Sequence, residues 1–379
     1  MFRKRKETIT GILCALLVCL TACSPKENKM KNPCPEKLAE YLYYMELDEY
    51  CFEAMPQADS PMFTVGCSSV RKGGLYGRNL DLGYCELPEF IVRISKADGR
   101  FASIGICADP MLACSVSEMT AEDLLAMPNV TNDGINENGV IISENVVDAT
   151  GIDDMTGTAP GKEKIHSSRI VRYLLDRAES AAHAVELMKD VDIVGGFSGY
   201  GLHWMIADKT DTYVVEIIDG ELVVSKNEKF YMTNFYLNHG PEIAEQSVAG
   251  TVFENVPLLN DYAIGVERWC ILRDKYSSLS SVEDMAALLE SVRATATYDT
   301  ANDPLWYSEC IGGALSIHSD TADFEKELAR QISLFEVRDR ANPQGDWITW
   351  HSSIYDIANR TLYVYSQEDY TVRFQISAP

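Results

Sequence analysis

Residues 62–84 read MFTVGCSSVRKGGLYGRNLDLGY, and this stretch decides the fold. From Met62 to Val70 apolar residues alternate with small ones, the period-two pattern of a strand. Lys72-Gly73-Gly74 reads as a turn, and the residues from Leu75 onward as a second strand folding back on the first. A hairpin turning near Gly73 brings the second strand, with Arg78 and Asp81, back beside Cys67. Arg78 and Asp81 are separated by an odd number of positions, so ideal alternation sends them to opposite faces. Both reach one site only if a bulge or a strand end intervenes. A cysteine at the end of an apolar strand is ordinarily a buried core thiol, so spacing alone makes no site.

Outward from the hairpin the β texture continues. EFIVRIS (89–95) and FASIGICA (101–108) read as a strand pair and GVIISEN (139–145) as a strand. HWMIAD (203–208), TYVVEII (212–218) and ELVVS (221–225) are further strands, the last two joined by the hairpin signal Asp219-Gly220. WITWHSSIYD, RTLYVYS and YTVRFQI close the chain as strands. Between these clusters, residues 167–190 carry two helical patterns split near Glu179-Ser180, and 281–294 an amphipathic helix with Ser280-x-x-Glu283 as its capping box. Thr120 and Asp123 form a similar box before Leu124. Residues 35–55 carry apolar residues at helical spacing, which predicts one or two short helices. Strand clusters with helices grouped between them make an α+β chain rather than a βαβ alternation.

The 379 residues are 46% hydrophobic, enough to bury a large core. The net charge of −24 opposes binding to nucleic acid or to anionic lipid headgroups. The N-terminus is the exception: Arg3 to Lys6 precede an apolar run from Ile9 to Leu20, which is short for a membrane span and suited to a secretory signal. It ends Leu20-Thr21-Ala22-Cys23, which resembles a bacterial lipoprotein signal whose cysteine is acylated. Attachment to the outer face of a bacterial membrane by a lipid on Cys23 is therefore expected. Of eleven cysteines, Cys14 and Cys19 leave with this signal. Setting aside Cys23 and Cys67, an odd number remains, so at least one more thiol is free or pairs outside the chain. No CxxC and no Cys/His cluster suggests a metal site, and no cofactor is expected.

With Cys67 and GRNLD (77–81) stand NDGINENGVIISEN (132–145), LHWMIADKT (202–210) with VVEI after it, MTN (232–234), Glu267-Arg268-Trp269, and WHSSIYDIANRTLYVY (350–365). In this order and spacing the chain resembles the choloylglycine hydrolase family, which includes bile salt hydrolases and penicillin V acylases, in its linear amide C–N hydrolase branch. The resemblance implies a four-layer αββα sandwich of the N-terminal nucleophile type. It implies that Cys67 is the nucleophile after cleavage of the Gly66–Cys67 bond, with Arg78 and Asp81 orienting it. Asn145 and Asn234 match positions that hold the oxyanion, and Arg268 a position lining the site. A free α-amine has a pKa of about 7.7–8.0, which suits it to act as base for its own thiol, with no histidine required.

Bile salt hydrolases usually begin at this cysteine, whereas here residues 24–66 precede it. The expected organisation is a signal peptide (1–22), a lipid-anchored tether and pro-segment (23–66), and the hydrolase domain (67–379). Cys34 and Cys51 offer a disulfide that could retain the cleaved pro-segment. The substrate implied is a small N-acyl amide, such as an N-acyl amino acid, a conjugated bile salt or penicillin V. By analogy the resemblance implies a homo-oligomer, either a homotetramer or a dimer. An acyltransferase using the same acyl-enzyme, the dipeptidase branch of N-terminal nucleophile enzymes, and a ligand-capturing surface lipoprotein are the alternatives; MTN and Glu267-Arg268-Trp269 count against the dipeptidases.

Overall fold

The computed structural model describes residues 33–55, 64–82, 88–108, 116–148, 159–195, 200–218, 220–238, 266–293, 348–367 and 369–379. The signal segment, Cys23 and residues 24–32 lie outside them. Among the described residues the larger sheet holds β1 (Glu36–Lys37), β2 (Leu42–Leu47), β5 (Glu89–Ile94), β6 (Ser103–Ala108), β7 (Thr131–Asn136), β8 (Ile141–Asp148), β11 (Tyr200–Ala207), β12 (Thr212–Ile218) and β13 (Glu221–Lys226), side by side in that order. All neighbours are antiparallel except β2 and β5, which run parallel. The smaller sheet runs β14 (Tyr231–Met232), β3 (Thr64–Lys72), β4 (Leu75–Leu82), β15 (Ile348–Asp356), β16 (Thr361–Ser366) and β17 (Phe374–Ser377). A separate parallel pair joins β9 (Glu163–His166) to β10 (Val191–Val194).

Helices α1 (Ala121–Ala126), α2 (Ile170–Arg177), α3 (Ala181–Asp190), α4 (Val266–Lys275) and α5 (Val282–Ser291) complete the described structure. Alternation along the strands sorts the core. Tyr76, Tyr355, Leu362 and Val364 of the smaller sheet meet Ile91, Ile104, Ile141 and Met205 of the larger, so the two sheets share one core. Residues of the opposite parity on the larger sheet, among them Ile142, Val146, Trp204 and Ile206, pack on Ile170, Leu174, Ala181 and Val185 of α2 and α3. On the smaller sheet Val70 and Ile354 face Leu272 of α4 and Met285 and Leu289 of α5. Gly77 permits this close approach, because a Cβ there would stand 2.7 Å from the Met285 sulfur.

The hairpin, the two helices within 167–190 and the hairpin across Gly220 form as the sequence predicts. Two expectations are corrected. The cap of α5 is Ser281, whose hydroxyl accepts from the Asp284 amide, one residue later than the Ser280 box. Residues 35–55 contain no helix. They form β1 and β2, and Leu42, Met45 and Leu47 are buried in the larger sheet. Leu42 faces the smaller sheet, whereas Met45 and Leu47 face the other way, onto Phe90, Val92 and Leu124. A strand buried on both faces shows a continuous apolar run, which periodicity cannot tell from a helix. The boundary at residue 66 thus falls inside β3, with residues 36–47 built into the same fold as the rest.

Candidate active site

Cys67 lies in β3 opposite Leu80, and its side chain is 1% exposed among Leu80, Ala108 and Trp350. Strand β4 itself carries no bulge between Arg78 and Asp81, so their side chains lie on opposite faces as alternation predicts; the irregularities lie in the strands beside it. Register slips at Val65 in β3 and at Trp350 in β15, the two strands that flank it. The outcome is a division of labour between the two residues of GRNLD. Arg78 faces the larger sheet and reaches the Cys67 sulfur with Nη2 at 3.6 Å. Asp81 offers that sulfur its main-chain N–H, while its carboxylate accepts from Thr349 Oγ1 at 2.6 Å and from Arg268 of α4.

Burial pushes the Cys67 thiol up, and Arg78 and the Asp81 amide act against that rise. Cys107 in β6 shows the contrast. Equally buried, it has the Thr131 hydroxyl and, more weakly, the Arg172 charge to oppose desolvation, and its thiol is pushed up to about 12. A cation and an amide are thus aimed at the Cys67 sulfur, whereas no such pair meets Cys107.

Arg78 is itself held on three sides. Nη1 donates to Asp133 Oδ2 at 2.9 Å and Nη2 to the Glu144 carbonyl at 2.7 Å. Burial disfavours its charge, but Cys67, Asp133 and Glu144 more than offset this and raise its pKa. Asp133 stands in the motif NDGINENGVIISEN (132–145), which by itself gives this residue no role.

The Cys67 main-chain nitrogen is fixed as well. It donates to Asn234 Oδ1 at 2.9 Å, and the same oxygen accepts from Arg268 Nη2 at 2.5 Å. Asn234, Arg268 and Asp81 therefore form one chain of contacts around Cys67. The amide hydrogens of the two asparagines are engaged elsewhere. Asn234 Nδ2 donates to the Val146 carbonyl at 2.7 Å, and Asn145 Nδ2 to the Thr233 carbonyl at 3.1 Å. In this arrangement neither presents its side-chain donor to the sulfur; Asn145 braces the segment that carries Asn234. His203 assists that brace, with Nε2 2.9 Å from the Thr233 carbonyl. Among the described residues no three His, Cys, Asp or Glu side chains gather as a metal-ligand set.

Glu144 turns the other way from Asn145, toward Asn132 and Trp204. Burial pushes its carboxyl up to about 8. The folded state then keeps a proton that the unfolded chain releases near 4.5, so Glu144 makes stability fall as pH rises from there to about 8. Thermal unfolding of Glu144→Gln is expected to match wild type at pH 5 and to exceed it at pH 8; equal midpoints at both would contradict this reading.

Residues 69–236 match the family model of the linear amide C–N hydrolases, choloylglycine hydrolase family. The matched segment holds Arg78, Asp81, Asn145 and Asn234; Cys67 precedes it and Arg268 follows it. Two variants of the conjugated bile acid hydrolase from Clostridium perfringens are similar in structure, each 15% identical and covering 82% of this chain and 92% of their own, with TM-scores of 0.51 and 0.50. Penicillin V acylase from Agrobacterium tumefaciens is 14% identical over 82% of this chain and 86% of its own, with a TM-score of 0.47. No curated protein sequence matches the chain. Its two large sheets share the fold of the bile acid hydrolase, and within that fold residues 69–236 are similar to the choloylglycine hydrolase family of linear amide C–N hydrolases.

Proposed function

We propose that the chain hydrolyses the linear amide of a small N-acyl compound through an acyl-enzyme on Cys67, which self-cleavage after Gly66 exposes as a new N-terminus. The observation that carries this reading is that sulfur and nitrogen of one buried residue both have dedicated polar partners: Arg78 and the Asp81 amide on the sulfur, Asn234 on the nitrogen. An inert core cysteine needs neither.

In self-cleavage the Cys67 sulfur attacks the Gly66 carbonyl carbon. The Gly66–Cys67 C–N bond breaks as its nitrogen takes a proton, and water hydrolyses the thioester to a Gly66 carboxylate and a free Cys67 amine. In turnover that amine takes the thiol proton, and the sulfur attacks the substrate's acyl carbon. The departing amine carries the proton away, and water releases the acid from the thioester. Arg78 stabilises the thiolate, while Asn234, anchored by Arg268 and through it by Asp81, keeps the amine lone pair directed at the sulfur. Asn234 Oδ1 is thus an acceptor for the nucleophile's own amine, in addition to the oxyanion role that its place in the motif implies.

The helix and sheet contacts described above support a four-layer sandwich of the N-terminal nucleophile type. The substrate class extends to conjugated bile salts and penicillin V by kinship with the named relatives. The signal pattern supports attachment outside the membrane through a lipid on Cys23. Fluorogenic N-acyl amides offered to the purified mature protein should be turned over, and rapid quenching should trap the acyl group on the fragment beginning at Cys67. Turnover without any adduct on that cysteine would sink the acyl-enzyme. Transfer of the acyl group to added amines at the expense of hydrolysis would turn the reading toward an acyltransferase.

A further inference from the structure

Between the two sheets lies a group of buried ionisable side chains that the proposed reaction does not use. Glu89 opens β5, Asp133 lies in β7, and His351 in β15 stands between them, each no more than 2% exposed. His351 Nδ1 is 2.7 Å from Glu89 Oε1, and Nε2 is 3.0 Å from Asp133 Oδ2. With a carboxylate at each ring nitrogen, both nitrogens must donate, which requires the imidazolium. Asp133 Oδ2 is the same oxygen that accepts from Arg78, and its Oδ1 accepts from Ser353 Oγ at 2.9 Å and from the Tyr355 hydroxyl.

We propose that His351 is a positioning residue: held between Glu89 and Asp133, it keeps the buried charges balanced and so holds Arg78 against Cys67. This deepens the reading of Cys67 as nucleophile and rests on it. Counted together, Arg78 and His351 balance Asp133 and Glu89. Removing the His351 proton leaves a net negative charge beside the sulfur in a site that cannot solvate it. It would also turn Nε2, 3.5 Å from Arg78 Nη1, from a like-charged neighbour into an acceptor. The guanidinium would then have a new partner on the side away from Cys67. Burial opposes the imidazolium, but Glu89 and Asp133 outweigh it and hold His351 up to about 9. Asp133 is held down to about 2: burial would raise it, but Arg78 and His351 prevail. Tyr76 and Tyr355, which also face Arg78 and Asp133, stay neutral because burial raises both phenols; Glu144 beside Arg78 is kept protonated up to about 8 by burial, and Asp81 is paired with Arg268.

The network also reaches the segment before the cleavage site. The Glu89 main-chain N–H donates to the Tyr41 carbonyl at 2.8 Å, and Leu42 pairs with Glu89 in the sheet. The fragment that self-cleavage would separate therefore supports the carboxylate that holds His351.

The test is the pH dependence of alkylation of Cys67 by iodoacetamide in the mature protein, read by peptide mass spectrometry, which reports the thiolate without requiring amide turnover. His351→Gln leaves the cluster net negative, and the alkylation midpoint is expected to rise by about one pH unit, a tenfold loss of thiolate at pH 7. Glu89→Gln leaves it net positive, and the midpoint is expected to fall. The double variant restores balance and should return close to wild type, although it has lost two side-chain contacts. Structural damage alone would move both single variants in one direction and make the double variant the worst. If His351→Gln does not fold, the downward shift in Glu89→Gln still decides. Unmoved midpoints, or a double variant no better than the singles, would overturn the proposal while Cys67 stands as nucleophile. A wild-type Cys67 that resists labelling at every pH, in a protein that turns over no amide, would overturn the nucleophile reading and this inference with it.

Discussion

Cys67→Ala is expected to leave the chain uncut between Gly66 and residue 67 and to lower amide hydrolysis by at least about 10⁴-fold, since the loss of a covalent nucleophile is not compensated by the rest of a site. The fold should tolerate the change. The sulfur occupies a small pocket among Leu80, Ala108 and Trp350, and deleting one buried atom costs on the order of 1 kcal/mol. Arg78 loses one contact but keeps Asp133 and the Glu144 carbonyl. Intact mass and N-terminal sequencing of wild type and variant, beside their thermal midpoints, separate chemistry from folding. Cys67→Ser is expected to lie between the two, because a hydroxyl is a weaker nucleophile than a thiolate near neutral pH. A wild-type protein that remains uncut, or an alanine variant that still cleaves, would remove self-processing from the account.

The second large effect concerns the chain before the scissile bond. Leu42, Met45 and Leu47 are buried, and β2 closes the hydrogen bonds along β5. Each such side chain contributes about 1.5–3 kcal/mol, so together they rival the whole stability of a domain. The hold extends beyond the strand. Asn129 accepts from the Glu53 amide and donates to the Cys51 carbonyl, Tyr50 donates to Asp176, and Phe52 packs on Tyr173. The fragment ending at Gly66 should therefore remain bound after cleavage. Cys34 and Cys51 are exposed free thiols, so sheet pairing rather than a disulfide from either of them to the body of the chain supplies the attachment. Both fragments are expected to co-elute on gel filtration with reductant present and to part only in denaturant. A chain started directly at Cys67 should be insoluble. Release of the small fragment under native conditions would contradict this.

The split between what was legible and what was not follows from the range of the interactions. The hairpin around Cys67 is local: alternation, a Gly73-Gly74 turn and two short strands suffice, and Gly73 adopts the positive φ of 57° that such a turn favours. Helices α2, α3 and α5 are likewise marked by their own periodicity, and α3 and α5 also by serine caps. Strand β2 was not legible, because an apolar run buried on both faces looks the same in either conformation until β5, more than forty residues later, pairs with it. The site divides in the same way. Arg78 and Asp81 lie within reach of Cys67 by hairpin geometry, but the partners that fix them, Asp133 and the Glu144 carbonyl for Arg78, Thr349 and Arg268 for Asp81, come from other strands and a helix. Asn145 and Asn234 are placed in the site by motif, yet the direction of their amides is set by carbonyls of other strands. Glu89, Asp133 and His351 carry no local signal at all. A carboxylate in a strand becomes half of a charge pair only when a second sheet, built from residues some two hundred positions away, buries it against a cation. The sequence by itself determined the strands and helices with local signatures, β2 not among them, and that a cysteine stands in the hairpin turning at Gly73; the packing of one sheet on the other decided that this cysteine sits in a balanced field of charge, because burial, and not residue type, makes those charges depend on one another.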